Sequence, residues 1–184
     1  MTAPAPTLPF ARTLRPDEVA AAGSHVVLVA DAEQRAALAR LAEIPSVEAF
    51  RAEILVKPWR DDGFSVTGRV TATVTQSCVV TLEPVPGTVD ETVDVKLVPP
   101  EAMARWEEAP DEDGAIDLDL AADLPDPIEG GVIDVGALVV EHFLIGLDPY
   151  PRKAGVAFDA AAAGVDAGAE ALSPFAALAR LRKE

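Results

Sequence analysis

The chain of 184 residues is long enough for one domain with a proper core, and its 49% hydrophobic and 25% charged residues are typical of a soluble globular protein. A net charge of −16 disfavours direct, high-affinity binding of nucleic acid, and a single cysteine excludes an internal disulfide. Because no apolar run approaches the roughly 20 residues that span a bilayer and no secretory signal stands at the start, we expect a cytoplasmic protein.

The N-terminal part predicts a loose start, one strand and one helix. Residues 1–9 are rich in proline and alanine, and we expect them to be flexible. The β-branched run Ser24–Ala30 predicts a buried strand. A helix follows, with Asp31 as its N-cap, Gln34 completing a capping box and Pro45 ending it. Its apolar face comprises Ala37, Leu38, Leu41 and Ile44.

Three alternating segments then predict an antiparallel meander with one wet face. Asp62-Gly63 predicts the first hairpin turn, because both residues tolerate positive φ. Gly68 falls among the apolar positions and predicts a bulge or close packing. The segment EPVPG, residues 83–87, predicts the second turn. The inward residues are Phe50, Ala52, Ile54 and Val56, then Phe64, Val66, Val70, Ala72 and Val74, then Val89, Val93, Val95 and Leu97.

Cys78 carries the only thiol and is the first candidate for chemistry. The alternation, continued past Gln76, places Cys78, Val80 and Leu82 on the inner face. A reactive thiol needs a nearby base or a helix N-terminus, and a zinc site needs about four ligands; the two histidines lie far away in sequence and share no ligand motif. We expect a packed side chain that is neither catalytic nor a metal ligand, although a spatial cysteine–histidine pair stays open.

The segment between Glu101 and Glu141 concentrates the negative charge, with thirteen acids and one base. Residues 99–114 predict a mobile acidic loop with one helical turn around Trp106, and residues 115–120 predict a short strand. The acidic residues have no calcium-loop spacing, so we expect no metal. Their charge serves solubility or forms a docking face for a basic protein partner.

A well-buried helix with Asp134 as its N-cap is predicted next, and His142 within it is expected to be a satisfied interior or boundary histidine. The segment LDPYPR follows. Tyr150 and Arg152 are residue types favoured in binding hot spots, but a simple helix stop with a packed tyrosine explains the segment equally well.

The composition changes after Arg152. Residues 154–172 are rich in alanine and glycine and predict a flexible linker. Residues 173–184 predict a short helix with Phe175, Leu178 and Leu181 on one face. We therefore predict an α+β fold over residues 10–153. Its antiparallel, strongly curved sheet is open or closes to a partial barrel, with two main packed helices and the C-terminal helix besides.

The segments QSCVVTLEPV, GGVIDVGALVVEHFLIGLDPYPRK and SPFAALARLRK resemble the YceD-like family, the large ribosomal RNA subunit accumulation proteins of bacteria. The resemblance covers roughly residues 8–153 and recurs at the C-terminus, and VADAEQRAALARLAEI resembles the alphaproteobacterial variant. Many relatives carry Cys-x-x-Cys at the first motif, whereas Thr81 stands at the second position here. Any zinc site of such a relative is therefore not expected in this chain.

The resemblance implies a role in 23S rRNA accumulation and large-subunit assembly, without enzymatic activity or cofactor. Together with the net charge, it favours a ribosomal protein or assembly factor of the large subunit as the partner, and no membrane or small-molecule substrate. Two alternatives stay open: a small redox protein or enzyme that uses Cys78, and a protein that binds rRNA directly. The expected binding residues are Glu83, Pro84, Asp148, Tyr150 and Arg152, with the acidic residues 101–129 as a second surface and Arg180, Arg182 and Lys183 as contacts to RNA or a second partner.

Overall fold

A computed structural model describes residues 8–107 and 124–157 of the chain. Short 3₁₀ turns at Pro16–Glu18 and Glu129–Gly131 accompany the regular elements of this part. The strands are β1 (Thr13–Leu14), β2 (Ser24–Val29), β3 (Ser46–Trp59), β4 (Gly63–Ser77), β5 (Pro84–Val98), β6 (Asp126–Pro127) and β7 (Ile133–Asp134), and the helices are α1 (Ala32–Leu41), α2 (Pro100–Glu107) and α3 (Val135–Ile145).

The main sheet is open and has the strand order β2-β3-β4-β5-β6. Its first four strands are antiparallel neighbours, and β6 runs parallel to β5. A second, two-stranded sheet pairs β1 with β7. The predicted α+β class and the antiparallel meander of β3, β4 and β5 are confirmed.

The core lies between one face of this sheet and the helices α1 and α3. Every inward position predicted for the three strands of the meander up to Val74 and from Val89 is buried except Val95, which is partly buried. Phe50 of β3 is at the centre: its ring stacks on Phe10 at a centroid distance of 5.1 Å and meets the edge of Phe143 from α3 at 5.7 Å. With few aromatic residues in the chain, these rings and the surrounding valines supply most of the apolar burial.

Both long helices begin as the sequence predicts. The Asp31 carboxylate accepts a hydrogen bond from Gln34 N, and Asp31 N in turn donates to Oε1 of the Gln34 side chain. The Asp134 carboxylate accepts from Ala137 N at 2.9 Å. These caps satisfy N–H groups that have no partner within the helix. Half-buried His142 contacts Leu138 O through Nδ1, as expected of a boundary histidine.

Gly68 permits close contact between β3 and β4. A Cβ atom at this position would lie 2.1 Å from the backbone oxygen of Glu53, so no other residue fits without a backbone shift. The pairing register runs through Gly68 without a break, which selects close packing over the alternative of a bulge. The irregularity in this pairing lies instead between Val47 and Ala49.

Two predictions near the N-terminal half of the sheet are wrong. The strand predicted as buried is the sheet edge β2 and is only half buried: Val26 packs in the core, whereas Val27 and Val29 lie on the opposite face of the strand and are exposed. The first hairpin turn comprises residues 60–62 rather than Asp62-Gly63, since Gly63 already pairs with Trp59. Positive φ, 55°, is found at Arg60, which takes the left-handed position of the turn.

Two further predictions are wrong at the C-terminal ends of β4 and β5. Residues 84–87 do not turn the chain; they pair with residues 74–77 as the start of β5. The reversal comprises residues 78–83, so the two-residue alternation ends at Cys78, and Leu82 is exposed rather than inward.

The region after β5 that was predicted as a loop with one helical turn contains the eight-residue helix α2.

Other predictions lie outside the described residues. They concern most of the flexible start, the acidic residues 108–123 with the strand at 115–120, the linker beyond residue 157, and the C-terminal helix with Arg180, Arg182 and Lys183.

Candidate functional site

Two segments that are about 70 residues apart in sequence meet at one end of the sheet. One is the β4–β5 reversal with its flanking residues, 76–84, and the other is the segment 148–153 after α3. We call their meeting point the Cys78 corner. It unites parts of two of the three segments that carry the family resemblance, so its geometry is the starting point for function.

The reversal itself is a closed six-residue turn. Cys78 N donates to Glu83 O at 2.8 Å, and Leu82 N donates to Cys78 O at 2.9 Å. Leu82 occupies the left-handed region with φ 61°, an uncommon conformation for a leucine. This backbone path places the Leu82 side chain outside the fold and leaves the Cys78 side chain inside the turn.

Segment 148–153 is fastened to the turn by backbone and side-chain contacts. The Gln76 side chain donates from Nε2 to Asp148 O at 2.8 Å, and Val79 N donates to Pro151 O at 2.9 Å. Lys153 Nζ pairs with the Glu83 carboxylate at 2.9 Å, and this cation lowers the pKa of Glu83. Two backbone carbonyls, of Asp148 and Pro151, accept these hydrogen bonds. The contact between the two segments therefore depends on the backbone path of segment 148–153 as well as on its side chains.

The Cys78 sulfur has no solvent-accessible surface, but it does not belong to the main apolar core. Lys153 N donates to Sγ at 3.5 Å. Hydrogen bonds from the Thr81 hydroxyl, and then from the backbone N–H groups of Lys153, Thr81 and Val80, lower the thiol pKa to about 6. Desolvation opposes this shift and is the smallest contribution. The predicted burial of the Cys78 side chain is confirmed.

This arrangement suits a structural acceptor better than a nucleophile. The groups that lower the pKa of the sulfur are the Thr81 hydroxyl and backbone N–H groups, among which Lys153 N donates to Sγ. A thiolate held in this way accepts hydrogen bonds from both segments, but it cannot reach a substrate without opening of the turn. Within residues 8–107 and 124–157, no group of three or more histidine, cysteine or acidic side chains is placed to hold a metal.

The five predicted binding residues all lie at this corner and are exposed. Asp148 also accepts a hydrogen bond from Tyr150 N at 2.9 Å, which orients the Pro-Tyr-Pro segment. Tyr150 is 69% exposed, Leu82 is 78% exposed and Val79 is also exposed. The tyrosine is therefore not the packed residue of a simple helix stop. The corner presents apolar side chains surrounded by charged ones.

Sequence reasoning missed three residues that hold the corner together: Gln76, Thr81 and Lys153. Gln76 is buried, and the strand pattern already contained the signal, because a polar side chain stood at an inward position of β4. Thr81 was noted as a departure from Cys-x-x-Cys; its hydroxyl donates to the Glu83 carboxylate at 3.3 Å and accepts from Glu83 N at 3.4 Å, and its side chain lowers the pKa of Cys78. Lys153 had no local signal, since its partner lies 70 residues away.

None of the helices described for this chain has the length and apolar character needed to cross a membrane. No curated protein and no solved structure matches the chain. A family model described as large ribosomal RNA subunit accumulation protein YceD matches residues 66–182. The match begins later than the resemblance seen in the sequence, continues through the C-terminal segment, and leaves the alphaproteobacterial variant a prediction. It covers both segments of the Cys78 corner and more than half of the chain, which therefore belongs to the YceD family.

Proposed function

We propose that this protein supports accumulation of 23S rRNA by binding a ribosomal protein or assembly factor of the large subunit at the Cys78 corner. The family description supports a role in ribosome biogenesis. The observation that carries the proposal is structural: hydrogen bonds and an ion pair join the two segments, and on them Leu82, Val79 and Tyr150 are exposed among charged residues.

The composition of this surface fits a protein partner. Interfaces place aromatic and aliphatic anchors at the centre and polar groups at the rim. Here Tyr150 and Leu82 are the anchors, and Glu83, Asp148 and Arg152 are rim residues. The exposed side chains keep apolar surface in contact with water. A partner would remove that surface from water, and this removal is the main source of binding free energy.

The charge of the chain adds a preference for a basic partner. A net charge of −16 attracts a positively charged protein from a distance and raises the association rate, whereas it repels the phosphate backbone. Many contacts to RNA phosphates would be needed to overcome that repulsion. Protein contact is thus favoured over direct binding of rRNA, and Arg180, Arg182 and Lys183 remain a predicted contact to RNA or a second partner.

The test compares corner variants with a matched surface variant in cells that lack the native protein. Tyr150→Ala and Leu82→Ser remove the anchors, and Val27→Ser removes another exposed apolar side chain from the edge strand β2. We expect the unaltered chain and Val27→Ser to co-purify a large-subunit protein or assembly factor and to restore 23S rRNA. The corner variants should lose capture about tenfold or more.

Two outcomes would refute the proposal. Equal capture and equal 23S levels for all variants would remove the corner as the binding surface. Capture that disappears after ribonuclease treatment, with steeply salt-dependent binding of rRNA fragments by the purified chain, would establish direct RNA binding instead.

The lowered thiol pKa keeps one alternative testable, that of a protein acting through Cys78. Alkylation of the native protein at pH 7 distinguishes this alternative from the proposed role as a binding protein. We expect slow labelling that accelerates at least about a hundredfold on unfolding, because the sulfur has no accessible surface. Fast labelling of the folded protein would favour the redox or enzymatic alternative.

A further inference from the structure

A groove of about 670 Å³ lies between the β6 region and the first turns of α3, away from the Cys78 corner. Leu97 and Ile128 form its buried apolar floor, and Leu138 of α3 is a partly buried wall. Among the described residues that line it there is no lysine or arginine. The acidic groove, as we call it, also has carboxylates on its rim: Asp126, Glu129 and Glu141.

These three carboxylates are not neutralised within residues 8–107 and 124–157, where none of them forms an ion pair with a base. An apolar floor with a rim of one charge favours a segment that carries apolar side chains on one face and basic side chains beside them. The groove is therefore selective in both shape and charge.

The chain itself contains a segment of this composition. Residues 173–184 place Phe175, Leu178 and Leu181 at a spacing of three, which aligns them on one face of a helix. Arg180, Arg182 and Lys183 supply the bases. We propose that residues 173–184 dock into the acidic groove, with their apolar face on the floor and their bases toward the rim.

The linker is long enough for this contact. Fifteen residues separate Ala157 from Ser173, which span about 50 Å when extended and about 20 Å as a random coil. The linker leaves the fold at the Cys78 corner, where Lys153 bonds to Cys78 and Glu83, and Leu97 lies about 45 Å from Glu83 along β5, within the extended length of the linker. Tethering also holds the segment at a local concentration near the millimolar range, so a weak contact suffices.

Docking gives the groove an occupant that a basic partner must displace. The consequence is a competition between the C-terminal segment and any basic protein segment for the same floor and rim. This contact is independent of the proposed function, because it joins two parts of one chain and involves no residue of the Cys78 corner.

Amide hydrogen exchange in the full-length chain tests the proposal. We expect residues 173–184 to exchange about tenfold or more slowly in the chain than in the free peptide of the same sequence. The double variant Glu129→Lys with Glu141→Lys should abolish this protection. Glu33→Lys with Asp61→Lys, which changes the net charge equally on other exposed sites, should retain it.

A charge exchange completes the experiment. Arg180→Glu with Arg182→Glu should also lose protection, and combining it with the groove variant should restore at least part of it. Unchanged exchange of β4 and β5 verifies folding in each variant. Exchange at the free-peptide rate in the unaltered chain would overturn the proposal. Protection that survives the groove variant, or that disappears on dilution because a second copy provides the groove, would do so as well.

Discussion

The two turns of the meander lie at opposite ends of β4 and reverse the chain in different ways. The β3–β4 turn uses three residues, 60–62, and the Arg60 guanidinium lies 4.5 Å above the ring of its neighbour Trp59. The β4–β5 turn uses six residues, encloses the Cys78 side chain and is covered by segment 148–153. Reversal alone requires no more than the shorter turn, so the additional residues of the longer one serve the contact with the distant segment.

The comparison shows that contacts with a distant segment determine the geometry of one turn of the meander but not of the other. In the shorter turn, Gly63 pairs directly with Trp59, and the geometry follows from neighbouring residues. In the longer turn, Cys78 and Glu83 bond to each other and also to Lys153. The same strand thus ends in one local turn and one turn whose geometry is shared with another part of the chain.

The largest effect is expected between the turns, where both hairpins depend on Gly68. Gly68→Ala should lower the free energy of unfolding by about 3 kcal/mol or more, because the new Cβ atom meets the Glu53 backbone oxygen. Gly87→Ala is the matched control, since its nearest atoms lie at 3.5 Å, and it should change stability by less than about 0.5 kcal/mol. Denaturant unfolding measures both, and equal effects would contradict the close-contact interpretation.

A smaller, pH-dependent effect is expected inside the longer turn. Cys78 has a folded pKa of about 6 against an ordinary value near 9, so its thiolate stabilises the fold above pH 9, and this contribution is lost as the pH falls through 6. The stability difference between the unaltered chain and Cys78→Ala should therefore grow from pH 6 to pH 9.

Thermal melts across this pH range measure the difference. Cys78→Ser, which does not titrate there, should lack the pH-dependent part. A difference that stays constant with pH would show that the sulfur is held as a neutral thiol.

The next effect in decreasing order is local and is expected at the shorter turn. Gly63→Ala should cost about 1–2 kcal/mol, because its Cβ atom would lie 2.9 Å from Leu97 O and 3.0 Å from Trp59. Asp61→Ala on the exposed tip should be neutral to within about 0.5 kcal/mol. Exchange of the Lys153 and Val79 amides should not change in either variant, and faster exchange at those amides would show that the two turns are coupled.

The smallest effect is expected for the ion pair at the rim of the Cys78 corner. Glu83→Gln should leave the unfolding midpoint unchanged within error, because both Glu83 and Lys153 are half exposed and water competes for them. Any difference should vanish in acid, since the pKa of Glu83 is lowered by Lys153 and protonation removes the attraction. A large loss of stability in this variant would mean that the pair fastens segment 148–153 more strongly than its exposure suggests.

Much of the sheet could be predicted because a strand repeats every two residues. The positions from Phe50 to Val74 alternated in the sequence and alternate in the structure, since one face must be buried and the other hydrated. The caps Asp31 and Asp134 were also predictable, because each bonds to a backbone N–H three residues later. These features depend only on neighbours in sequence.

The errors arose where distant segments decide the outcome. Val27 and Val29 were predicted to be buried from their residue type, but they lie on the face of β2 opposite the core, and which sheet face is covered depends on how the helices pack. Residues 84–87 resembled a turn by composition, yet pairing with β4 makes them a strand. At an edge and beside a turn, tertiary pairing outweighs local preference.

The sequence by itself determined the α+β class, the inward face of the meander, the caps of both long helices and the segments that carry the family resemblance. Only the tertiary structure decided that residues 76–84 and 148–153 meet, that Lys153 bonds to Cys78 and that Leu82 and Tyr150 are both exposed. The reason is physical: alternation and capping are contacts between near neighbours, whereas the Cys78 corner is held by hydrogen bonds across about 70 residues, which no local pattern encodes.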